Sequence, residues 1–419
     1  MRILMLAQFY PPTVGGEERH VRNLSIDLVR RGHDVSVATL GHLGSADAEI
    51  DQGVKIYRLR GTLQRDSSLF TETERRHAPP FPDPELLYGL SRIAARTKPD
   101  IVHAHNWLLH SFLPIKRRTG APLVVTLHDF SLVCAKKNSM RAGSICDGPA
   151  LVKCLGCAKA HYGAVKGGIT TVANWISSRY ERRRVDKFIA VSRAVADGNG
   201  LAKLPTPFEV IPNFVPDDIA TLSALPDPRL RQLPSEGYLL FVGDLNRIKG
   251  VHVLMKAYST LRQAPTLVLI GRRCPDAPKE FPPNVLVFDS WPHGAIMQAW
   301  KRCLFGLVPS IWADPCPTVV MEAMALGKPV IAADAGGNPD LVDRSETGLL
   351  VPPGDATALA AAMRSLVENA DLRARLGAKG LLKAQTLKAA AIVPRIERTY
   401  EKLIATAAAG CSEGVRNAA

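Results

Sequence analysis

The sequence contains no apolar run approaching the roughly 20 residues needed to cross a bilayer. Its first apolar stretch, Ile3 to Ala7, is far shorter than a signal-peptide core and reads as a buried strand. Tracts with the composition of disorder are missing too, apart from the small, polar end from Ala407 to Ala419. These absences set the expectation of a protein in a reducing cytosol. The fingerprint G-x-G-x-x-G does not follow the first strand, which argues against a dehydrogenase. The basic runs lack interleaved aromatics and no nucleic-acid motif is found, so no nucleic acid is expected as a partner.

A chain of 419 residues exceeds what one hydrophobic core usually supports, so two domains are expected. An apolar fraction of 46% and a charged fraction of 22% are those of a globular protein. The formal charge of +14 is uneven: residues 1–212 hold 30 Lys+Arg against 19 Asp+Glu, the remainder 23 against 20. Clusters stand at Lys116-Arg117-Arg118 and Arg182-Arg183-Arg184. A solvated basic face is the plain reading. The functional one is attraction to anionic lipid headgroups or to a phosphate-bearing acceptor.

Short β-branched runs alternate with helical patterns, which indicates parallel sheets built from βαβ units. Ile3–Ala7 leads into Gly15-Gly16 and then an amphipathic helix with Val21, Leu24 and Leu28 on one face, stopped by Gly32. Strands are expected at Val35–Leu40, Val54–Leu59, Ile101–His105, Leu123–His128, Phe188–Val191 and Val210–Ile211. The series restarts with Tyr238–Val242, Leu267–Ile270, Val285–Phe288, Leu304–Val308, Val330–Ala333 and Leu349–Val351. Two doubly wound α/β domains, 1–212 and 213–390, would face each other across a cleft at their strand ends, where such sheets bind ligands. Residues 61–85 read as a mobile loop, and residues 131–170 as a Cys-rich insertion.

The most informative run is Pro309-Ser310-Ile311-Trp312-Ala313-Asp314-Pro315-Cys316-Pro317-Thr318-Val319-Val320-Met321-Glu322-Ala323-Met324-Ala325-Leu326-Gly327-Lys328-Pro329-Val330, with Gly336-Gly337 following. It resembles the signature of family 4 glycosyltransferases, which have the GT-B fold and retain anomeric configuration. Gly15-Gly16-Glu17, Thr126-Leu127-His128-Asp129 and Lys249-Gly250 fall in the family's order, so the resemblance spans about residues 1–390. It implies an acceptor-side domain followed by a domain that binds a nucleotide-sugar donor. It also implies a helix over 391–419 that crosses back to the first domain and ends in a polar tail.

The residue chemistry supports this beside the resemblance. Thr318 and Val319 open a helix whose first amides are unpaired, a ready anion site. Glu322 lies one turn on, on the same face, where a carboxylate can accept ribose hydroxyls; in the resembled family it does so. The acid eight positions earlier touches the donor sugar in that family, and here it is Asp314, one methylene shorter than the usual Glu. Gly243-Asp244-Leu245-Asn246-Arg247-Ile248-Lys249-Gly250 supplies Arg247 and Lys249 to neutralise a departing diphosphate. Asp244 stands where the family has Arg, so Arg247 is expected to replace it and Asp244 to turn away. The base should sit near Asp289 to Trp291; uridine is commonest among relatives, with guanosine and adenosine open.

On the acceptor side, Gly15 and Gly16 let backbone approach the diphosphate closely. His128 ends a strand at the cleft, and the resemblance puts it beside the transferred sugar near its anomeric carbon. His103 and His105 alternate out of one strand and share a side. Retaining transfer of this kind needs no side-chain nucleophile and no protein-bound metal for catalysis. The expected acceptor is a hydroxyl of a glycan, lipid-linked or small-molecule compound, with an anionic membrane surface as a further partner. Rival readings are an epimerase or phosphorylase of the same fold, although no phosphorylase cofactor-lysine motif is found, and a non-catalytic nucleotide-sugar-binding protein.

Cys134, Cys146, Cys154 and Cys157 crowd one loop and have the look of a structural Zn²⁺ or iron–sulfur site. Unligated or redox-active thiols, and disulfides, stay open as alternatives.

Overall fold

A computed structural model describes the chain except for residues 14, 42–45, 71–74, 222–226 and 417–419, and the side chains of residues 68 and 410–416. The first sheet uses β1 (Arg2–Ala7), β2 (Asp34–Leu40), β3 (Ala48–Asp51), β4 (Val54–Leu59), β5 (Ile101–His105) and β6 (Leu123–Leu127). A separate hairpin, β7 (Met140–Arg141) and β8 (Ser144–Ile145), precedes its last strands, β9 (Lys187–Ala190) and β10 (Phe208–Val210). Their order is β10-β9-β6-β5-β1-β2-β4-β3. The second sheet contains β11 (Tyr238–Val242), β12 (Leu267–Ile270), β13 (Val285–Phe288), β14 (Cys303–Val308), β15 (Val330–Ala333) and β16 (Leu349–Val351). It runs β13-β12-β11-β14-β15-β16, the doubly wound order, with all neighbours parallel. The central strands are covered on both faces, which is why β12 and β15 are apolar without alternation and buried throughout, and why even His103 and His105 of β5 are buried.

β3 was not expected. It is an antiparallel edge strand, and its sequence Ala-Glu-Ile-Asp is mostly exposed, so burial leaves no apolar signal in it. Residues 61–85 also differ from a mobile loop where they are described. Asp83 is buried and accepts from the amides of Thr62 at 3.0 Å and Leu63 at 3.3 Å while capping the helix Pro84–Thr97. The second half of the insertion is helical and runs on past it: helices Leu151–Tyr162 and Ala164–Arg184 form a hairpin on the first domain. At the other end, the helix Ala389–Arg416 takes in most of the tail that was expected to be irregular.

That last helix leaves the second domain and packs on the first. Ala389, Ile392, Val393, Ile396 and Tyr400 repeat at helical spacing and share a core with Ile3, Met5, Val21, Leu24, Val35 and Ile101. Glu397 pairs with Arg31 at 3.1 Å and meets His33 at 2.8 Å. Beneath the helix lies a layer of imidazoles. His103 Nδ1 meets the Tyr400 hydroxyl at 2.6 Å and its Nε2 meets Thr126 Oγ1 at 2.6 Å. His105 Nδ1 lies 3.0 Å from His128 Nε2, and the His20 ring is 5.1 Å from that of His128. Burial lowers all four, His103 and His128 to about 3, so these rings are neutral.

Two outcomes follow from this packing. Tyr400→Ala removes a fully buried ring and leaves His103 Nδ1 without its partner, so denaturant titration should show a loss of about 3–5 kcal/mol; a loss below about 1 kcal/mol would contradict the docked helix. His77 and His110 are also lowered to about 3, largely by burial. An imidazole lowered on folding takes up its proton on unfolding, so stability falls as pH drops below about 6.5. Burial raises Glu17 and Glu181, the latter to about 8, which acts in the opposite sense. Six imidazoles outweigh two carboxyls. The melting temperature should therefore be clearly lower at about pH 5 than at pH 7, and a flat profile would contradict the neutral layer.

Candidate active site

Strand order reverses between β1 and β5 in the first sheet and between β11 and β14 in the second. Loops leaving neighbouring strands at such a point diverge and open a crevice. The two crevices meet, because Arg19, at the start of the helix Gly16–Arg30, reaches across to Glu322 of the helix Thr318–Ala325.

In the second domain, the loop after β11 lies against the loop after β14. Gly250 has φ +79°, and a Cβ there would sit 1.9 Å from the Pro309 carbonyl oxygen, so only glycine lets the two backbones approach. This contact brings Lys249 to Asp314, with Nζ 2.5 Å from Oδ2. The amide of Lys249 is anchored on Asn246 Oδ1 at 2.8 Å. Gly337 donates its amide to the Asp314 carbonyl at 2.7 Å, and a Cβ on Gly336 would lie 2.3 Å from the same oxygen. Asp314 is thus fixed by backbone on one side and a cation on the other.

Thr318 and Val319 are half-buried in the first turn of their helix, which has Pro317 before it and no capping side chain. Its first amides therefore stay available to an anion. Glu322, one turn on, is 2% exposed. Its Oε1 accepts from Arg19 Nη1 at 2.9 Å and lies 2.9 Å from His293 Nε2. Burial pushes this carboxyl up, but its interactions with His293 and the charge of Arg19 more than offset it and hold the group below its ordinary range.

Asp244 is paired with Arg272 at 2.9 Å. Arg247 is exposed, and its amide is held by Asp276 Oδ2 at 3.0 Å. The acid that stands where the family has Arg is thus neutralised by Arg272, from the loop after β12.

From the first domain, Gly15 precedes the helix Gly16–Arg30, and a Cβ on it would lie 2.1 Å from Glu18 Oε2. Gly16 is exposed with open space around it. Glu17 accepts from Asn106 Nδ2 at 3.0 Å, and Lys137 Nζ donates to Asn106 Oδ1 at 2.5 Å. Burial raises the Glu17 carboxyl and lowers the Lys137 amine, so each is driven toward its neutral form. His128 follows β6, and its Nδ1 has no hydrogen-bond partner among the described residues. A cavity of about 1020 Å³ runs between the domains, lined by Gly15, Arg19, Phe214, Trp291, Pro292 and His293 among others.

The structure does not assemble the expected four-cysteine centre. Among the described residues no three His, Cys, Asp or Glu side chains come together as a metal would require. Cys154 and Cys157 lie on one helix, Cys157 Sγ is 3.8 Å from the Met140 carbonyl and Cys146 Sγ is 3.4 Å from that of Gly148. Two of the four thiols thus meet backbone carbonyls, and the four do not gather as a Zn²⁺ or iron–sulfur group would need.

Four partners in this site carried no motif of their own: Arg19, His293, Asn106 and Lys137. Arg19 has one visible signal, its place one turn after Gly15-Gly16 at the start of a helix. The others lie on loops or helix starts whose approach depends on the tertiary fold.

Residues 14–219 match the family described as Glycosyltransferase Family 4, and residues 229–382 the one described as Glycosyl transferases group 1. The glycogen synthase of Mycobacterium tuberculosis is 28% identical over 402 residues, covering 88% of this chain and 86% of that protein. Sucrose-phosphate synthase from Thermosynechococcus elongatus superposes with a TM-score of 0.74 at 21% identity, over 96% of this chain and 99% of the other. Anabaena HepE, solved in complex with UDP, gives 0.68 at 19% identity over 96% and 100%. At such identities the two structures speak for the fold alone, and that fold is GT-B. With two sequential family matches covering both domains, the chain belongs to the family 4 glycosyltransferases.

Proposed function

We propose that this glycosyltransferase moves a sugar from a nucleotide diphosphate, UDP foremost, to a hydroxyl of a glycan, lipid-linked or small-molecule acceptor, with retention of anomeric configuration. The observation that carries this reading is the grouping of an uncapped helix start, Glu322 one turn beyond it, and the Lys249–Asp314 pair beside the same crevice. A nucleotide sugar needs those elements together: amides and a cation for the diphosphate, and carboxylates for ribose and sugar hydroxyls. Arg19 and His293 both engage Oε1 of Glu322, which leaves Oε2 to accept from ribose. Trp291, in the cavity wall, supplies an aromatic surface near the loop expected to meet the base. HepE was solved with UDP, which favours uridine among the bases.

In this reading the acceptor oxygen bonds to the anomeric carbon on the face from which the diphosphate departs. The anomeric carbon–oxygen bond breaks, and the acceptor proton passes to the departing phosphate oxygen. The chain's work is positioning and charge neutralisation. Lys249 turns from Asp314 toward the diphosphate, and Asp314, so released, accepts from sugar hydroxyls. Neutral His128 offers its free Nδ1 to the sugar. The positive surplus of the first domain supports work at an anionic membrane surface.

Glu322→Ala and Lys249→Ala should each lower kcat/KM by roughly tenfold or more with the fold retained by circular dichroism; near-normal rates in both would overturn the donor-site assignment. Arg19→Ala leaves the ribose carboxylate without its interdomain partner, so KM for the donor should rise several-fold. An unchanged KM would reduce Arg19–Glu322 to an incidental ion pair.

A further inference from the structure

The helical hairpin of the first domain is built with its polarity reversed. The inner stripe of the helix Ala164–Arg184 is Gly167, Thr171, Asn174, Ser178 and Glu181, all buried. A Cβ on Gly167 would lie 2.4 Å from the Ala158 carbonyl oxygen, so small residues are needed where this helix crosses Leu151–Tyr162. The apolar residues face out: Val165 is 76% exposed, Ile169 57% and Ile176 58%, joined by Val172, Trp175 and Tyr180. Val152 of the neighbouring helix is 84% exposed. An apolar stripe of this length on the outside of a helix about 30 Å long marks an interaction surface.

Charge decides what the surface meets. From Gly148 to Tyr180 the chain holds no Asp or Glu, while Lys153, Lys159, Lys166 and Arg179 lie in that stretch and Arg182-Arg183-Arg184 close the helix. Glu181 is buried and held toward its protonated form by that burial. The basic heads sit over the aromatics: Arg179 lies 3.3 Å from the Trp175 ring centre and Arg184 4.7 Å from that of Tyr180. Lys153 is paired with the exposed Asp147 at the start of the hairpin, and beyond that pair no acid lies before Glu181; a second copy seated here in a two-fold contact would set one cationic face against its twin. An anionic bilayer instead takes the aliphatic stripe into its acyl boundary and pairs the cations with phosphates.

We propose that the outer face of the hairpin Leu151–Arg184 docks the enzyme on an anionic lipid bilayer. The proposal deepens the membrane part of the functional reading by assigning it a surface, and it stands or falls apart from sugar transfer.

The test is co-sedimentation of the full chain with phosphatidylcholine vesicles, with and without about 30% phosphatidylglycerol, at low and high salt. The unmodified protein should pellet with the anionic vesicles, at least tenfold more weakly with neutral ones, and less at high salt. Ile169→Glu with Ile176→Glu should cut anionic binding by roughly tenfold or more while leaving melting temperature and UDP affinity unchanged. No binding of the unmodified protein, equal binding of the double variant, or indifference to lipid charge overturns the proposal. A dimer of the unmodified chain that the double variant dissolves, with no vesicle binding, assigns the face to a second copy and also overturns it. Vesicle binding without UDP binding would leave this proposal standing and remove the donor reading.

Discussion

A carboxylate that is nearly all buried cannot be left without partners, and Glu322 finds them in both domains. His293 comes from its own side of the cleft and Arg19 from the other. Leaving such a group unpaired costs far more than an exposed ion pair returns, so the pairing constrains how the two sheets meet as much as it positions the acid. Around that contact the glycines at 250, 336 and 337 bring three loops of the second domain together, and the Lys249–Asp314 pair sits where they converge. The chemistry expected of a donor site and the packing that closes the crevice thus use the same atoms.

Much of this was legible beforehand because it is local or periodic. Fully covered parallel strands such as Leu123–Leu127 are written as apolar runs, and the restart at Tyr238 marks the second sheet. The GT-B fold and the family could be recognised from the run Pro309–Val330 because its spacing places an acid, a helix start and a second acid in fixed relation. The illegible parts depend on long-range approach. Nothing local pairs Asp244 with Arg272, which is 28 positions away, or assigns Arg247 to the surface. Ala48–Asp51 hides as an edge strand because exposure removes its apolar signal.

The insertion shows how spacing alone can mislead. Cys134, Cys146, Cys154 and Cys157 are close in sequence, yet two of them share a helix and the others lie outside regular elements, and the thiols do not converge. What the same segment builds is a hairpin whose glycine and small polar residues serve close helix crossing and whose aliphatic residues are left outside. Composition there points to structure, but only the burial pattern says which face is which.

The proposal on which the donor site rests is that Glu322, between Arg19 and His293, holds the ribose of a nucleotide diphosphate. Calorimetric titration with UDP, GDP and ADP tests it most directly, run on the unmodified protein and on Glu322→Ala. At least one of the three should bind with Kd below about 1 mM, UDP most tightly, and the variant should weaken that binding by roughly tenfold or more. Absence of binding by all three, or equal affinity in the variant, would contradict it.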